Sequence, residues 1–149
     1  MVIQKASETV RDRVARLVFV DALALLPGER VDAIVKRPAP NKTSDLATGP
    51  SREDAENRMF KNLEPSLRAW AVDRITPHPV TALEAPMVAT AFWDQKWSAS
   101  VTRCTQAVNP PETHQRRTAE KLGGSYHELD TGHYPMLSAP DELAKLLIA

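Results

Sequence analysis

The run Val14 to Leu23, VARLVFVDAL, constrains the fold more than any other stretch of this chain. It is β-branched and apolar nearly throughout, which suits a strand buried on both faces of a parallel sheet rather than one with a solvated side. Leu25-Leu26-Pro27-Gly28 then turns the chain. Two further segments can join such a sheet: Ser98 to Thr105 (SASVTRCT), anchored by Val101 and Cys104, and Ser125 to Leu129 (SYHEL).

Helical signals separate these strands. Between Met1 and Arg13, Val2, Ile3, Ala6 and Val10 recur at roughly helical spacing among Lys5, Glu8, Arg11 and Asp12, which predicts an amphipathic helix. Ser51 with Asp54 forms a capping pattern that opens a helix over Arg52 to Leu63, and Pro65-Ser66 opens another reaching about Val72. Pro111 to Leu122 has the proline start and acidic first turn of a helix, with Gly123-Gly124 as its stop. Pro140 to Ile148 closes the chain as a helix with Leu143, Leu146 and Leu147 on one side. The proline-rich, weakly apolar stretch Lys36 to Pro50 reads as a loop, and Ile75 to Pro79 must be extended because each proline restrains itself and its predecessor. This order predicts an α/β fold with about three parallel strands, flanking helices and a helical insertion.

Composition narrows the function classes. At 149 residues the chain fits a single domain that buries roughly 70% of its unfolded surface. Nineteen basic residues balance nineteen acidic ones, so no global field gathers nucleic acid or an anionic membrane. The longest apolar run, Ala22 to Leu26, is far short of a membrane span, and the first ten residues lack the cationic start of a secretory signal. A single cysteine, Cys104, excludes an internal disulfide and points to a reducing, cytoplasmic setting, where it reads as a small buried hydrophobe rather than a reactive thiol. His78, His114 and His127 show no metal-ligand spacing, so neither a metal nor another cofactor is expected. His127 alternates within a strand, and His114 with Arg116-Arg117 is expected to face solvent. Trp70, Trp93, Trp97 and Phe92 read first as core.

Ligands of open α/β sheets bind beyond the carboxyl ends of the strands, so the loops after Leu23, Thr105 and Leu129 are where chemistry belongs. His133, in Asp130-Thr131-Gly132-His133, falls in the last of these and has the intrinsic acidity of a general base near neutral pH.

The run HELDTGHYPMLSAPDELAKLL resembles the end of bacterial α/β-hydrolases related to plant hydroxynitrile lyases and methyl esterases, where the histidine of this motif belongs to the catalytic triad. RVARLVFVDALALLPGE is similar to the strand after the nucleophile helix, RITPHP to the end of the family's cap, and RCTQAVNPPETHQRRTAEKLG to its penultimate strand-loop-helix. The likeness covers nearly the whole chain. It implies a partial α/β-hydrolase domain over residues 1–149, a cap-like insertion at about 36–85, a small ester or acyl substrate, His133 as general base, and Trp70 in a cap that lines the substrate cavity.

The same resemblance exposes two departures. The family's nucleophile sits in a sharp G-x-S-x-G turn, and none of the five glycines frames such a serine. MVIQKASETVRDR resembles the helix that follows that turn, so the resemblance implies only the C-terminal part of the fold. The position that corresponds to the triad aspartate holds Ala107, which cannot orient an imidazole. Asp21, at the end of the first strand, is placed where it could substitute as the acid, since some hydrolases take theirs from that strand, but a residue there reads first as a turn cap. Asp94 and Asp130 read as solvated or locally bonded groups. Loss of a triad serine costs about a million-fold in turnover, so two functions follow. One is a hydrolase-like protein with little or no activity as this chain stands. The other is a non-catalytic module that pairs with a complementing chain, or with its own copies, through the exposed edge of the first strand.

Overall fold

The computed structural model describes residues 2–36, 41–42 and 44–148. Its centre is a three-stranded parallel sheet in the order β1 (Leu17–Val20), β5 (Ala99–Cys104), β6 (Ser125–Leu129). Leu17 stands opposite Ala99 and Ser100 opposite Ser125, so all three strands run to the same end. β1 is shorter than the apolar run around it, because the chain leaves the ladder at Asp21. Leu17, Phe19 and Val101 are buried in a core completed by Ala24, Leu25, Phe92, Trp97, Ala119 and Leu122. Phe92 and Trp97 are core as expected and stack at 5.3 Å, and the indole N–H of Trp97 donates to Phe92 O.

α6 (Glu112–Leu122) and α8 (Pro140–Ile148) form where their end signals place them. Gly123 ends α6 with φ 59, the left-handed conformation that costs glycine least. Gly124 permits close packing, since a Cβ there would lie 2.6 Å from Ala99 O. The short helices α2 (Val31–Ile34), α5 (Thr81–Glu84) and α7 (Pro135–Ser138), and the 3₁₀ turn Phe92–Asp94, carry too few residues to show a period in sequence.

α1 (Val2–Thr9) is helical, followed by a 3₁₀ turn at Arg11–Arg13, yet its apolar stripe is not its buried face. Val2 is 84% exposed, and Ile3 and Val10 are also open, whereas Gln4 is 0% exposed and Ser7 is buried. Hydrogen bonding decides the orientation. Gln4 Nε2 donates to Leu25 O at 2.9 Å, Gln4 Oε1 accepts from Leu25 N at 2.9 Å, and Glu8 accepts from Phe92 N. The carboxamide satisfies Leu25 N, whose burial unpaired would cost about 1–3 kcal/mol, and shares Leu25 O with the indole N–H of Trp93. Turning the apolar side inward would forfeit both bonds.

Between α2 and β5 the chain makes a separate excursion. Part of the expected loop at 36–50 is paired: β2 (Asn41–Lys42) and β3 (Ala47–Gly49) form an antiparallel sheet with β4 (His78–Pro79). The remainder of that expectation, at 37–40 and 43, lies outside the described residues. The extended, proline-restrained backbone at 75–79 supplies the partner strand, and Val80 N donates to Leu46 O. Ser51 Oγ accepts from Asp54 N at 3.0 Å, so the cap forms as its spacing predicts. The helix it opens is α3 (Arg52–Asp54), which widens into a π-helical run over Ala55–Met59. α4 (Pro65–Val72) follows. Their apolar faces make a second cluster of Ala55, Phe60, Leu63, Ala71 and Val72, against which Tyr134 and Leu137 pack.

Candidate active site

The first residue beyond β1 is Asp21, and its backbone is unusual. It has φ 42, the only non-glycine in the left-handed region among the described residues. Aspartate enters this region more readily than most residues, though still at a cost of about 1–2 kcal/mol. Its amide donates to Thr102 O at 2.7 Å, which extends the β1–β5 ladder by one bond and turns the side chain toward the sheet's carboxyl end. The carboxylate is fully buried and saturated. Oδ1 accepts from Cys104 N at 3.2 Å and from Gln115 Nε2 at 2.9 Å, which leaves Oδ2 for a third partner.

That partner is His133. Its Nδ1 lies 2.6 Å from Asp21 Oδ2, although the residues are 112 positions apart in the chain. Parallel register brings the ends of β1, β5 and β6 to one edge, and the loop after Leu129 folds back across the end of β5 to reach Asp21. Three features shape that loop. Thr131 is buried, bonds to the Ser138 hydroxyl and accepts from Gln106 N through its carbonyl. Gly132 lies close to the Asn62 side chain. Tyr134 packs its ring 4.6 Å from that of Phe60, tying the segment after His133 to the second apolar cluster.

An acceptor-only carboxylate can bind Nδ1 only if that nitrogen carries the proton, which leaves Nε2 unprotonated in the neutral ring. The His133 side chain is 45% exposed, so the ring projects from its buried anchor into solvent. Such an arrangement presents the Nε2 lone pair to solvent, opposite the nitrogen that Asp21 holds.

The other residues singled out in sequence lie elsewhere. Ala107 sits in the turn after β5, where its amide donates to Cys104 O, and offers no acceptor to the histidine. The carboxylate bonded to His133 therefore comes from β1. Trp70 is 48% exposed on α4 with the Arg74 guanidinium 4.4 Å from its ring, so it is not core, and it shares no ring contact with His133 among the described residues. Cys104 is buried, and burial beside Asp21 pushes its thiol up to about 12, which suits a small hydrophobe. Asp130 is exposed and accepts from Thr105 and Gln106, bonds that hold its carboxyl below the usual range.

On α6, Arg116 is exposed as expected, but its neighbours are not. Arg117 does not face solvent: its guanidinium makes a bidentate pair with Glu29, both bonds at 2.7 Å, in a partly buried contact. That pairing draws α6 against the turn after β1 and leaves His114 partly desolvated, which lowers its basicity, as does the nearby Arg117 charge. Gln115, buried in the stripe Gln115, Thr118, Ala119, Leu122, is the site residue that sequence reasoning missed. The signal was a glutamine on the apolar side of an i, i+3, i+4, i+7 pattern.

Among the described residues no group of acidic, histidine or cysteine side chains is placed to hold a metal, and no helix is long and apolar enough to cross a membrane.

No protein-family model and no curated protein matches this chain. Solved structures do. An extracellular α/β-hydrolase from a Paenibacillus species, described as sharing structural and functional homology with tobacco salicylic acid binding protein 2, superposes with a TM-score of 0.81 over 99% of this chain at 20% identity. The fold is that of the α/β-hydrolases. Polyneuridine aldehyde esterase matches at TM-score 0.72 over 98% of this chain and 16% identity, and a methylesterase from Arabidopsis at 0.71 over 99% and 14%. The chain spans 66%, 66% and 63% of the lengths of these three neighbours, consistent with the C-terminal part of the α/β-hydrolase fold.

Proposed function

We propose that Asp21 and His133 form the acid and general base of an α/β-hydrolase-type site for small ester or acyl compounds, on a chain that by itself hydrolyses esters little or not at all. The observation that carries this reading is the 2.6 Å bond between a fully buried carboxylate and a half-exposed imidazole at the carboxyl edge of the sheet. Buried, fully bonded carboxylates that fix one tautomer of an accessible histidine belong to proton-transfer sites. The left-handed backbone at Asp21 supports it, since conformational strain of this kind clusters where geometry serves chemistry. Inactivity follows from the absence of any G-x-S-x-G turn in the 149 residues: His133 has no serine to activate. Residues 1–149 form one partial domain in this reading, with residues 36–85 as a cap beside the site and Trp70 on its outer helix. The buried single thiol suits a cytoplasmic setting.

The test is hydrolysis of p-nitrophenyl acetate by the purified chain beside His133→Ala. Equal rates are expected. A wild-type rate that is lost in His133→Ala would refute inactivity and reveal a nucleophile supplied elsewhere on the chain.

A second reading is a non-catalytic module that pairs with another chain along β1. In its favour, β1 pairs only with β5 among the described residues and so forms an edge of the sheet, while Val2 and Ile3 are open on α1 and Val10 just after it. Light scattering that shows a stable monomer at high protein concentration would count against it.

A further inference from the structure

We infer that Gln115 is a positioning residue for the Asp21–His133 pair, its buried carboxamide holding the carboxylate so that Oδ2 faces the imidazole; the inference rests on the general-base reading above. Gln115 is 1% exposed on α6, in a stripe otherwise filled by Thr118, Ala119 and Leu122. Its Nε2 donates both hydrogens, one to Asp21 Oδ1 at 2.9 Å and one to Pro110 O at 3.0 Å.

Those partners fix which way the amide points. A carboxylate oxygen and a backbone carbonyl are both acceptors, so turning the amide over would set oxygen against oxygen twice. With Nε2 committed, Oε1 is left buried with no hydrogen-bond partner among the described residues. An orphaned buried acceptor costs about 1–3 kcal/mol. A side chain chosen for packing alone would avoid that cost, because methionine fills nearly the same volume with no acceptor to strand. The carboxamide is thus retained at a cost to stability in order to grip Asp21.

The grip has a directional consequence. Asp21 Oδ1 is held by Cys104 N from the end of β5 and by Gln115 from α6, two donors on different elements. Two donors on one oxygen fix the rotation of the carboxyl group. Remove Gln115 and, among the described residues, only the longer bond from Cys104, at 3.2 Å, and the contact with His133 itself oppose rotation about the Cβ–Cγ bond. Oδ2 then holds its approach to Nδ1 less firmly, and the bias toward the proton on Nδ1 weakens.

The experiment reads the neutral ring of His133 by ¹⁵N NMR in the wild type, Gln115→Met and Thr118→Val. The last removes another buried polar group of the same helix face, one that among the described residues bonds to His114 O and not to Asp21, and serves as the structural control. Expected are a dominant Nδ1–H form in the wild type and in Thr118→Val, and a clearly larger Nε2–H fraction in Gln115→Met. Retention of the wild-type tautomer in Gln115→Met overturns the inference while leaving the general-base reading intact. A wild-type ring already in the Nε2–H form overturns both. Should Gln115→Met not fold, hydrogen exchange of the Gln115 carboxamide in the wild type decides: strong protection of both protons is expected, and exchange as fast as that of a surface glutamine overturns the inference.

Discussion

Replacing Asp21 separates its charge from its place in the fold. In Asp21→Asn the amide oxygen can stay on Cys104 N and Gln115 Nε2 while the new amide group turns to His133, whose Nδ1 then accepts. Bonds to a charged carboxylate, about 1.5–3 kcal/mol each, become neutral bonds of about 1 kcal/mol, and release of the buried charge offsets part of the loss, so the net cost is about 1–3 kcal/mol. Asparagine also tolerates the left-handed backbone at φ 42. Asp21→Ala has no such relief. It strands the buried Cys104 amide and one Gln115 hydrogen, about 1–3 kcal/mol each, and adds up to about 1 kcal/mol because alanine lacks the local hydrogen bonding that eases aspartate into the left-handed region, about 2–7 kcal/mol in all. In a domain of this size 1 kcal/mol moves Tm by about 3–5 °C. Thermal and urea unfolding followed by circular dichroism should place Asn about 3–15 °C below wild type and Ala at least twice as far, or without a cooperative transition. Equal losses for the two variants would refute the assignment of Asp21 as a carboxylate saturated by buried donors.

Three other outcomes are expected. Gln4→Leu, which keeps volume, leaves Leu25 N without its acceptor while Leu25 O keeps Trp93, and should lower stability in urea by about 1–3 kcal/mol; a loss below about 0.5 kcal/mol would mean that α1 is docked by something other than that clamp. Cys104, buried and with its thiol pushed up to about 12, should resist Ellman's reagent at pH 8 until the chain unfolds, and stoichiometric labelling of the native protein would contradict its placement. The Arg117 guanidinium holds the Glu29 carboxyl below its usual 4.5, so the stability this pair confers is present above pH 4.5 and lost as pH falls through the lowered folded value. The stability gap between wild type and Glu29→Gln, about 1 kcal/mol near pH 7, should therefore close on acidification, and a gap unchanged down to pH 3 would refute that sign.

The parallel sheet and the helices with strong end signals were legible because their determinants are local. An apolar β-branched run gives β1, and the proline and Gly-Gly boundaries give α6. The Ser51 cap likewise formed from a three-residue spacing. What was not legible depends on long-range polar contacts. The buried face of α1 is chosen by Gln4 against Leu25, 21 residues away, and overrides the apolar stripe. Arg117 is drawn inward by Glu29, 88 residues away. His133 could be placed in sequence by its loop and by family resemblance, and Asp21 could be named only as a substitute acid, because nothing local distinguishes it from a turn cap. The expected position holds Ala107, and only the register of β1, β5 and β6 brings Asp21 within reach. Gln115 was hidden for the same reason: its partner at Asp21 is 94 residues distant.

Whether His133 is held as a general base is read most directly from the protonation of its two ring nitrogens in the wild type and in Asp21→Asn, above the pH at which the ring becomes neutral. ¹⁵N NMR should show Nδ1–H with a bare Nε2 in the wild type and the reverse in Asp21→Asn, because the amide donates where the carboxylate accepted. The same tautomer in both proteins would mean that Asp21 does not orient the imidazole.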